Sequence, residues 1–523
     1  MDERRVPDRG RGPLTRRRFL GRAGAAGAGA AAFQAAAASG ASSRAEGEAP
    51  KPSSIFEEPF PAGPPIRVRP VFTYAFPARA KLTSWRPYGG IQSAEDAARE
   101  SARIQAELRA LAARADFPIE VLDLIAVDSD AKATAVPLEG CDVFLIYAAG
   151  GSAALFSQLV ASGVPCVMFL RHRSGPYYLW HEIAHWRFLR RNGDLFEETN
   201  MGLEDIVVDD YDEVLWRLRA LRGLRCARGT KMLAIGGLQA YSEPGQRLGP
   251  AHAQEVWGYE IETVSYDEFR ARLAAARSDP AALAAAERET ELLLARPEVS
   301  LETERRFVVN SFLALGVARE FLRERGASNF GFAHCMGEPV IGLLDTPPCL
   351  VLSLANDLGE TAYCHTDLTH TVAGVLLRWI ANRPTFVCNT HFPHRGIFTV
   401  AHCAAPRRMD GKGYEPAKIQ THFESDYGAA TKVEYRRGQI LTVVVPNLRL
   451  TKWLGFRAQV IEAPARDACR SQIDMRVDGD FRRLLERMEG FHAQVVYGDY
   501  LREVGYALRR LGKIAWENVS EPA

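Results

Sequence analysis

The stretch CDVFLIYAAGGSAALFSQLVASGVPCVMFL, residues 141–170, decides the fold class of this chain. Its apolar run at 141–147 predicts a strand, residues 154–162 have the period of a helix, and 165–170 return to a strand. Both runs lack a polar face, which is typical of strands buried in a parallel sheet. The glycine-rich turn at 147–152 is either a simple tight turn or a place where backbone amides face an anion or sugar hydroxyls.

The same alternation of strand and helix extends outward from this stretch. Residues 66–74 predict a strand and 94–113 a helix, so a first α/β domain is expected at 67–229. A second α/β unit starts at the strand-like residues 231–237 and is expected at 230–383. The chain thus predicts two doubly wound domains, each with a parallel sheet.

The pattern of hydrophobic and turn-forming residues changes after Pro384. Short strand-like runs follow, separated by Gly, Pro and charged turns: 385–388, 396–403, 439–445 and 458–462. Such runs fit an antiparallel sheet or barrel. Residues 500–511 predict a terminal amphipathic helix. The predicted architecture is therefore α/β, with an antiparallel β-rich, barrel-like C-terminal domain at 384–523.

The N-terminus predicts an export signal. TRRRFL at 15–20 precedes an Ala/Gly run without charge, a pattern typical of a twin-arginine signal peptide, expected at 1–45. It implies the twin-arginine translocase as a partner and a periplasmic or extracellular location; a disordered basic tail is the alternative. The run is too weakly apolar for a stable membrane anchor. Residues 46–66, rich in Pro, Glu and Ser, predict a linker.

Composition narrows the functional classes. The chain has 47% hydrophobic and 25% charged residues, as globular proteins do, and its net charge of +1 gives no electrostatic footprint for nucleic acid or anionic membrane. The roughly 475 residues after the signal are too many for one hydrophobic core. The nine cysteines contain no C-x-x-C pair, which favours packing thiols over a disulfide framework.

Histidines are concentrated in the second half of the chain. Eight of the twelve lie between His334 and His492, and five of these fall within residues 364–403, among carboxylates and thiols. This crowding indicates a metal site, because imidazole, thiolate and carboxylate are the usual ligands of transition metals. Four of these histidines fit solvated or substrate-facing roles better than ligand roles: His370, His391, His394 and His422.

Several local motifs resemble those of one enzyme group. They are PCLVLSLAND (348–357), CHTD (364–367), FVCN (386–389) with VAHC (400–403), and GFHAQVVYGD (490–499). Together with the order of the domains, they resemble the L-fucose and L-arabinose isomerase superfamily. Enzymes of that superfamily interconvert aldoses and ketoses at a divalent metal, usually manganese. The metal polarises the carbonyl and hydroxyl oxygens, and a carboxylate moves the proton between neighbouring carbons.

The resemblance implies a metal site with altered residues. The positions that correspond to the ligands are His365, Asn389, His402 and His492. His365 stands where the family has a glutamate that is both ligand and catalytic group, and Asn389 replaces an acidic ligand. His365 and Asp367 are therefore the candidate catalytic residues, and Glu424 is a further candidate base. A ligand set without carboxylates leaves the ion its full charge and favours zinc, iron or cobalt over manganese.

A competing motif occurs in the first domain. HEIAH at 181–185 is a literal H-E-x-x-H, which on a helix places two histidines on one face for zinc with Glu182 as general base. The segment follows what reads as the loop after a parallel strand, and no third ligand appears at the metzincin spacing. A zinc peptidase is therefore the less favoured interpretation.

These observations predict a metal-dependent aldose–ketose isomerase that acts on a free pentose, deoxyhexose or related polyol. The resemblance also implies a homo-oligomer. Two alternatives remain: a sugar-binding homologue that has lost catalysis, and a zinc-dependent carbohydrate hydrolase or lyase that uses a metal-bound hydroxide.

Overall fold

Two parallel sheets and a closed antiparallel barrel organise the chain in the computed structural model, which describes residues 54–76, 78–86, 88–193 and 200–521. The α/β class with a C-terminal antiparallel barrel, predicted from the sequence, is thereby confirmed. The predicted signal peptide, residues 1–45, lies outside the described residues.

The first sheet is parallel throughout. Its strands are β1 (Ile66–Thr73), β2 (Ile119–Val121), β3 (Ile125–Val127), β4 (Val143–Ala148), β5 (Cys166–Leu170) and β6 (Ile206–Val208). Their order is β2-β1-β4-β5-β6, with β3 also paired to β1. Every residue of β4 and β5 is buried, as expected for strands covered on both faces of a sheet.

Helices connect these strands. They are α1 (Ala94–Arg114), α2 (Asp130–Thr134), α3 (Ala153–Ala161) and α4 (Tyr211–Ala227). Helix α1 starts where the Ser93 hydroxyl accepts a hydrogen bond from the Asp96 N–H, and it buries Ile104, Leu108 and Leu111, spaced along one face. The stretch at 141–170 forms β4, α3 and β5, so it is the predicted β-α-β unit.

The second parallel sheet has the order β11-β10-β7-β8. The strands of this region are β7 (Lys231–Ile235), β8 (Glu260–Val264), β9 (Val299–Leu301), β10 (Asn329–Phe332) and β11 (Thr361–Cys364). Its helices are α5 (Glu243–Trp257), α6 (Tyr266–Ser278), α7 (Pro280–Leu294), α8 (Arg305–Arg325), α9 (Glu338–Leu344), α10 (Cys349–Asp357) and α11 (Leu368–Ala381). Strand β9 does not join this sheet.

The C-terminal region forms the barrel. Its elements are β12 (Phe386–Thr390), β13 (Ile397–His402), β14 (Ala417–His422), β15 (Tyr427–Val433), β16 (Ile440–Pro446), β17 (Lys452–Glu462), β18 (Ser471–Asp478), α12 (Phe481–Arg487), β19 (His492–Tyr497), α13 (Leu501–Leu511) and β20 (Ala515–Asn518). The antiparallel order β16-β19-β12-β13-β18-β17 closes through pairing of β16 with β17, and β20 adds in parallel to β17. Closure leaves no free edge among these six strands.

A small sheet and helix α11 join the second α/β region to the barrel. In the sheet, β14 pairs antiparallel with β15 and parallel with β9. Helix α11 packs against β19 and β16, where Val372 and Leu376 share a buried core with Val444 and Val496. The carboxyl end of β11, which leads directly into α11, therefore lies beside the barrel.

The described end of the predicted linker packs on the second α/β region. The Ser54 hydroxyl donates a hydrogen bond of 2.6 Å to Glu289. Phe56 is buried, with its ring in edge contact with Phe312 and Tyr414. This segment is thus held by the core it crosses.

No single helix within the described ranges is long and apolar enough to span a membrane. Helices α9 and α10 reach that length only as a pair, which is bent by 71°, and every residue of α10 is buried.

Candidate metal centre

A small cavity lies where the carboxyl ends of β10 and β11 meet the barrel and the β14–β15 turn. Its volume is about 40 Å³, which is room for an ion with one or two waters. Five of the nine cysteines line it: Cys335, Cys349, Cys364, Cys403 and Cys469. All nine cysteines lie in the described ranges and are free thiols. The spacing of the cysteines in the sequence did not indicate that five thiols share one cavity.

Two of the thiols form a close group with His365. The Cys335 Sγ lies 2.9 Å from the Cys364 Sγ and 3.9 Å from the His365 Nε2. All three side chains are buried, and their ligand atoms lie within 4.8 Å of one another. The hydrogen bond from the Cys364 thiol lowers the pKa of Cys335 well below its ordinary value, and the pKa of Cys364 rises in turn. This pair therefore yields a thiolate readily.

The imidazole of His365 is oriented as a ligand would be. Its Nδ1 lies 3.0 Å from the Gln239 Oε1, which can only accept, so Nδ1 carries the proton and the Nε2 lone pair points toward Cys335. A metal-bound histidine usually donates its other N–H in this way. Burial lowers the pKa of His365, but Cys335 and the nearby carboxylates of Asp367 and Glu424 raise it more, so the pKa lies above its ordinary value.

The backbone of His365 is held in an unusual conformation. Its φ of 59° lies in the left-handed region of backbone conformation, which residues other than glycine rarely adopt. Gly331 of β10 lies directly against it, since a Cβ at that glycine would stand 2.4 Å from the His365 carbonyl oxygen. The neighbouring strand thus fixes the turn that presents this imidazole.

His402 faces the cavity from β13 as a donor. Its Nδ1 accepts a hydrogen bond of 3.1 Å from the Ala404 N–H, which puts the imidazole proton on Nε2. Burial lowers the pKa of His402, so the ring is held neutral. In this position His402 offers an N–H and no lone pair to the cavity. Asn389, at the end of β12, lines the same space and is half-buried.

Glu424 is the one carboxylate among the described residues that line the cavity. It follows β14, and its Oε2 lies 3.6 Å from the His422 Nε2. Because the His422 Nδ1 accepts a hydrogen bond from the Ser425 N–H, the His422 Nε2 carries a proton that faces Glu424. The Glu424 side chain is 55% exposed, and Tyr241 and Met336 are also exposed, so these residues mark the mouth.

Behind the cavity lies a second group made of Asp367, His370 and His492. All three are buried, and their ligand atoms lie within 4.8 Å of one another. Asp367 is the N-cap of α11, where its Oδ1 accepts from the Thr369 N–H at 2.8 Å and from the Thr369 hydroxyl at 2.7 Å. Burial lowers the pKa of His370 to about 3 and that of His492 well below its ordinary value.

The structure brings the residues predicted from the sequence to one junction, but it divides them between the cavity and the group behind it. His365 stands with the two thiols, His402 and Asn389 line the same cavity, and His492 and Asp367 belong to the group behind. The predicted ligands His365, His402 and His492 do not form one group of ligand atoms within 4.8 Å. Two histidines that the sequence placed in solvated or substrate-facing positions, His370 and His422, are buried.

Cys335 and Gln239 are site residues that the sequence reasoning missed. Cys335 comes three residues after β10 ends, and Gln239 comes four residues after β7 ends. The carboxyl ends of parallel strands are where α/β sheets place their ligand contacts. The strand before Gln239 was predicted at 231–237, but no strand was predicted before Cys335. The sequence could not show which side chains of those loops point toward one another.

The H-E-x-x-H segment forms a short π-helix, His181–Leu189. The rings of His181 and His185 are 5.7 Å apart, and Glu182 pairs with Arg187. Within the described residues, no third His, Cys, Asp or Glu completes a close ligand group with these histidines. The peptidase interpretation therefore lacks the third ligand that it requires.

Neither a protein-family model nor a curated protein matches the chain. Among solved structures, the chain is similar to the substrate-binding protein of a sugar ABC transport system from Bordetella parapertussis 12822. The match has 14% identity, covers 65% of this chain and 86% of that chain, and has a TM-score of 0.15. A match at that TM-score carries no argument about fold or function.

Proposed function

We propose that this protein is a metal-dependent enzyme of the aldose–ketose isomerase type, with its reaction at the cavity described above. One observation carries the proposal: Cys335 and Cys364, which form a close group of metal-ligand side chains with His365, line the same cavity as a single carboxylate, Glu424. A metal and a carboxylate base are the two components that this chemistry needs. The motif resemblance to the L-fucose and L-arabinose isomerase superfamily supports the same class of reaction.

The donor set of the cavity fits zinc. Two thiols and one imidazole make a Cys₂His set, which zinc enzymes use with a fourth position left open for water or substrate. The Nε2 lone pair of His365 is available because Nδ1 donates to Gln239. Thiolate ligands disfavour manganese and magnesium, which prefer oxygen. We therefore propose zinc as the ion and Cys335, Cys364 and His365 as the residues that would hold it.

A bound zinc ion supplies Lewis-acid polarisation of the carbonyl and hydroxyl oxygens of the substrate. Glu424 takes the proton from C2 of an aldose and returns it to C1, while the O2 hydroxyl proton moves to O1. The product is an isomer, so no co-reactant is consumed. The Nε2–H of His402 and the amide of Asn389 donate hydrogen bonds to substrate oxygens. The proton of His422 that faces Glu424 orients the carboxylate.

The size of the cavity favours a second candidate, a zinc-dependent carbohydrate hydrolase or lyase. A volume of about 40 Å³ holds an ion and its water but not a monosaccharide, so a sugar must reach the centre from the mouth at Tyr241 and Met336. In a hydrolase, a zinc ion held by Cys335, Cys364 and His365 would activate water, and Glu424 would serve as the general base. The same residues serve both reactions, and only the substrate distinguishes them.

The test combines metal analysis with turnover. The purified protein is assayed for zinc and then for aldose–ketose conversion with a panel of free pentoses and deoxyhexoses. The proposal expects bound zinc and conversion, with Glu424→Gln reducing kcat about 10²–10⁴-fold, as loss of a general base does. Glu486→Gln, at an exposed carboxylate of α12 that pairs with Arg482, is the matched control and should leave kcat unchanged.

Each other outcome identifies an alternative. Bound zinc with hydrolysis or elimination of glycosides and no isomerisation would replace the isomerase with the hydrolase or lyase. Saturable sugar binding without turnover would leave a binding protein. Equal activity of the Glu424→Gln variant and the wild type would contradict the role given to this carboxylate.

A further inference from the structure

Two buried imidazole nitrogens that lack partners in the described part of the chain lie close together behind the cavity. The Nδ1 atoms of His370 and His492 are buried, and neither has a hydrogen-bond partner within the described residues. Their rings are in edge contact with centroids 4.9 Å apart, and Asp367 completes the group within 4.8 Å. We propose that Asp367, His370 and His492 bind a second zinc ion, in a closed site separate from the reaction cavity.

A buried polar atom without a partner costs about 1–3 kcal/mol, so two of them side by side call for a ligand. Each of these imidazoles has a ring nitrogen without a partner among the described residues, and that atom can be offered to an ion. Two imidazoles and one carboxylate are a common donor set for zinc.

The carboxylate of Asp367 is held on one side and has free lone pairs on the other. Metal-bound carboxylates are themselves held by hydrogen bonds, and Asp367 meets this condition. Its Oδ1 accepts two bonds from Thr369, whereas its Oδ2 accepts only a long bond of 3.3 Å from the Tyr241 N–H. The Oδ2 therefore has lone pairs free for an ion. The charge of Asp367 offsets half of the charge of the zinc, which a pair of neutral imidazoles alone would not do.

The second group is enclosed by protein and lies apart from the reaction cavity. None of the three residues lines the reaction cavity, and aromatic rings cover two of them. The Tyr241 ring lies 5.3 Å from the His492 ring, and the Tyr363 ring lies 6.0 Å from that of His370. All three side chains are buried, so we assign this ion a structural role. It would tie the start of α11, which carries Asp367 and His370, to His492 at the start of barrel strand β19.

This inference goes beyond the proposed function and does not rest on it. The reaction cavity uses Cys335, Cys364 and His365, whereas the closed site uses no thiol. The two sites therefore have different spectra with cobalt, because only thiolate ligands give an intense sulfur-to-cobalt charge-transfer band in the near ultraviolet. Loss of metal binding at one site can therefore be recognised whether or not the other site binds metal.

The experiment counts cobalt ions and records the absorption spectrum of the full chain loaded with Co²⁺ alone. The wild type should bind two ions and show the thiolate band. The double variant Cys335→Ser/Cys364→Ser should bind one ion and lose the band, with visible cobalt absorption retained. His370→Leu/His492→Leu should bind one ion and keep the band, because only the closed site is lost.

A milder variant guards against a folding defect. Asp367→Asn keeps an acceptor for the Thr369 N–H, and asparagine caps helices as well as aspartate does. It should fold with an unchanged far-ultraviolet circular dichroism spectrum, keep the thiolate band, and weaken binding of the second ion at least 10-fold. In the double cysteine variant, added zinc should raise the Tm, and Asp367→Asn should reduce that shift.

The proposal is overturned if the double cysteine variant binds no ion, since the closed site would then be empty or filled by a water. It is overturned equally if Asp367→Asn binds the second ion as tightly as the wild type does, or if zinc fails to raise the Tm of the double cysteine variant.

Discussion

Asp357 should make the stability of this protein fall as the pH rises from about 4 to 7. Its Oδ1 accepts hydrogen bonds of 2.7 Å from the backbone N–H groups of both Arg407 and Arg408, but its Oδ2 is buried without a partner among the described residues. Burial raises the pKa of Asp357 from 3.8 to about 7, although those N–H groups and the two arginine charges act in the opposite direction. Asp357→Asn keeps the acceptor and removes the ionisation.

Proton linkage gives the sign and the size of the effect of Asp357 on stability. Between pH 4 and 7 the folded state keeps the proton that the unfolded chain has lost, so the stabilisation is complete below pH 4 and is lost as the pH approaches 7. A shift of about 3 pH units corresponds to roughly 4 kcal/mol. The unfolding entropy of a unit of this size is about 1 kcal/mol per kelvin, so the effect on the Tm is about 4 °C.

The assay is the Tm of the wild type and of Asp357→Asn, measured from pH 4 to pH 8. The difference between the two should shift by about 4 °C across that range in favour of the variant, since the other ionisable groups cancel. Asp410 is the matched control, because its Oδ1 also accepts two backbone hydrogen bonds, from Lys412 and Gly413. Burial raises the pKa of Asp410, but these bonds and Arg436 lower it more.

The stabilisation that the lowered pKa of Asp410 provides is present above the ordinary value of 3.8 and is lost only as the pH falls below it, so the wild type and Asp410→Asn should give parallel curves from about pH 5 to 8. If the wild type and Asp357→Asn give parallel curves from pH 4 to 8, the carboxyl of Asp357 ionises without cost and the reasoning is wrong.

Three other changes have directions that the structure determines. Glu503→Gln should also reduce the decrease in Tm that the wild type shows from pH 4.5 to 7, because burial raises the pKa of this carboxyl to about 7. The same Tm-against-pH curve for variant and wild type would refute this. Gly331→Ala should lower the free energy of unfolding by about 1–3 kcal/mol and release zinc from the cavity, because the new Cβ would collide with the His365 carbonyl oxygen. A variant that keeps its full zinc content would contradict this prediction. Gly316→Ala, at an exposed position of α8 with no atom within 4 Å of the new Cβ, should instead stabilise by about 0.5–1 kcal/mol with zinc retained.

The fold class could be read from the sequence because its main signals are local. Strands β4 and β5 are continuous apolar runs without a polar face, and a parallel sheet is the usual place for such runs. Helix α10 could not be assigned in the same way, because all nine of its residues are buried and a fully apolar run has no distinguishing period. The sheet of β9, β14 and β15 was missed because it pairs segments from two separate regions.

The sequence indicated which part of the chain carries candidate ligands but not which side chains meet there. The clustering of histidines and the motif resemblance both pointed to the junction at His365, since those signals are carried by neighbouring residues. The partners of His365 come from loops more than a hundred residues upstream, as Gln239 does, or from the next strand, as Cys335 does. The hydrogen bond that makes His402 a donor comes from a backbone N–H, and no sequence pattern specifies it.

The central claim is that a metal ion occupies the cavity beside Cys335, Cys364 and His365. Anomalous scattering measured above and below the zinc absorption edge, from crystals of protein that has seen no metal but Zn²⁺, tests this most directly. We predict an anomalous peak in the cavity that is bonded to both sulfurs and to the Nε2 of His365. A cavity that holds only water, or a disulfide bond between Cys335 and Cys364 with no anomalous peak, would contradict the account.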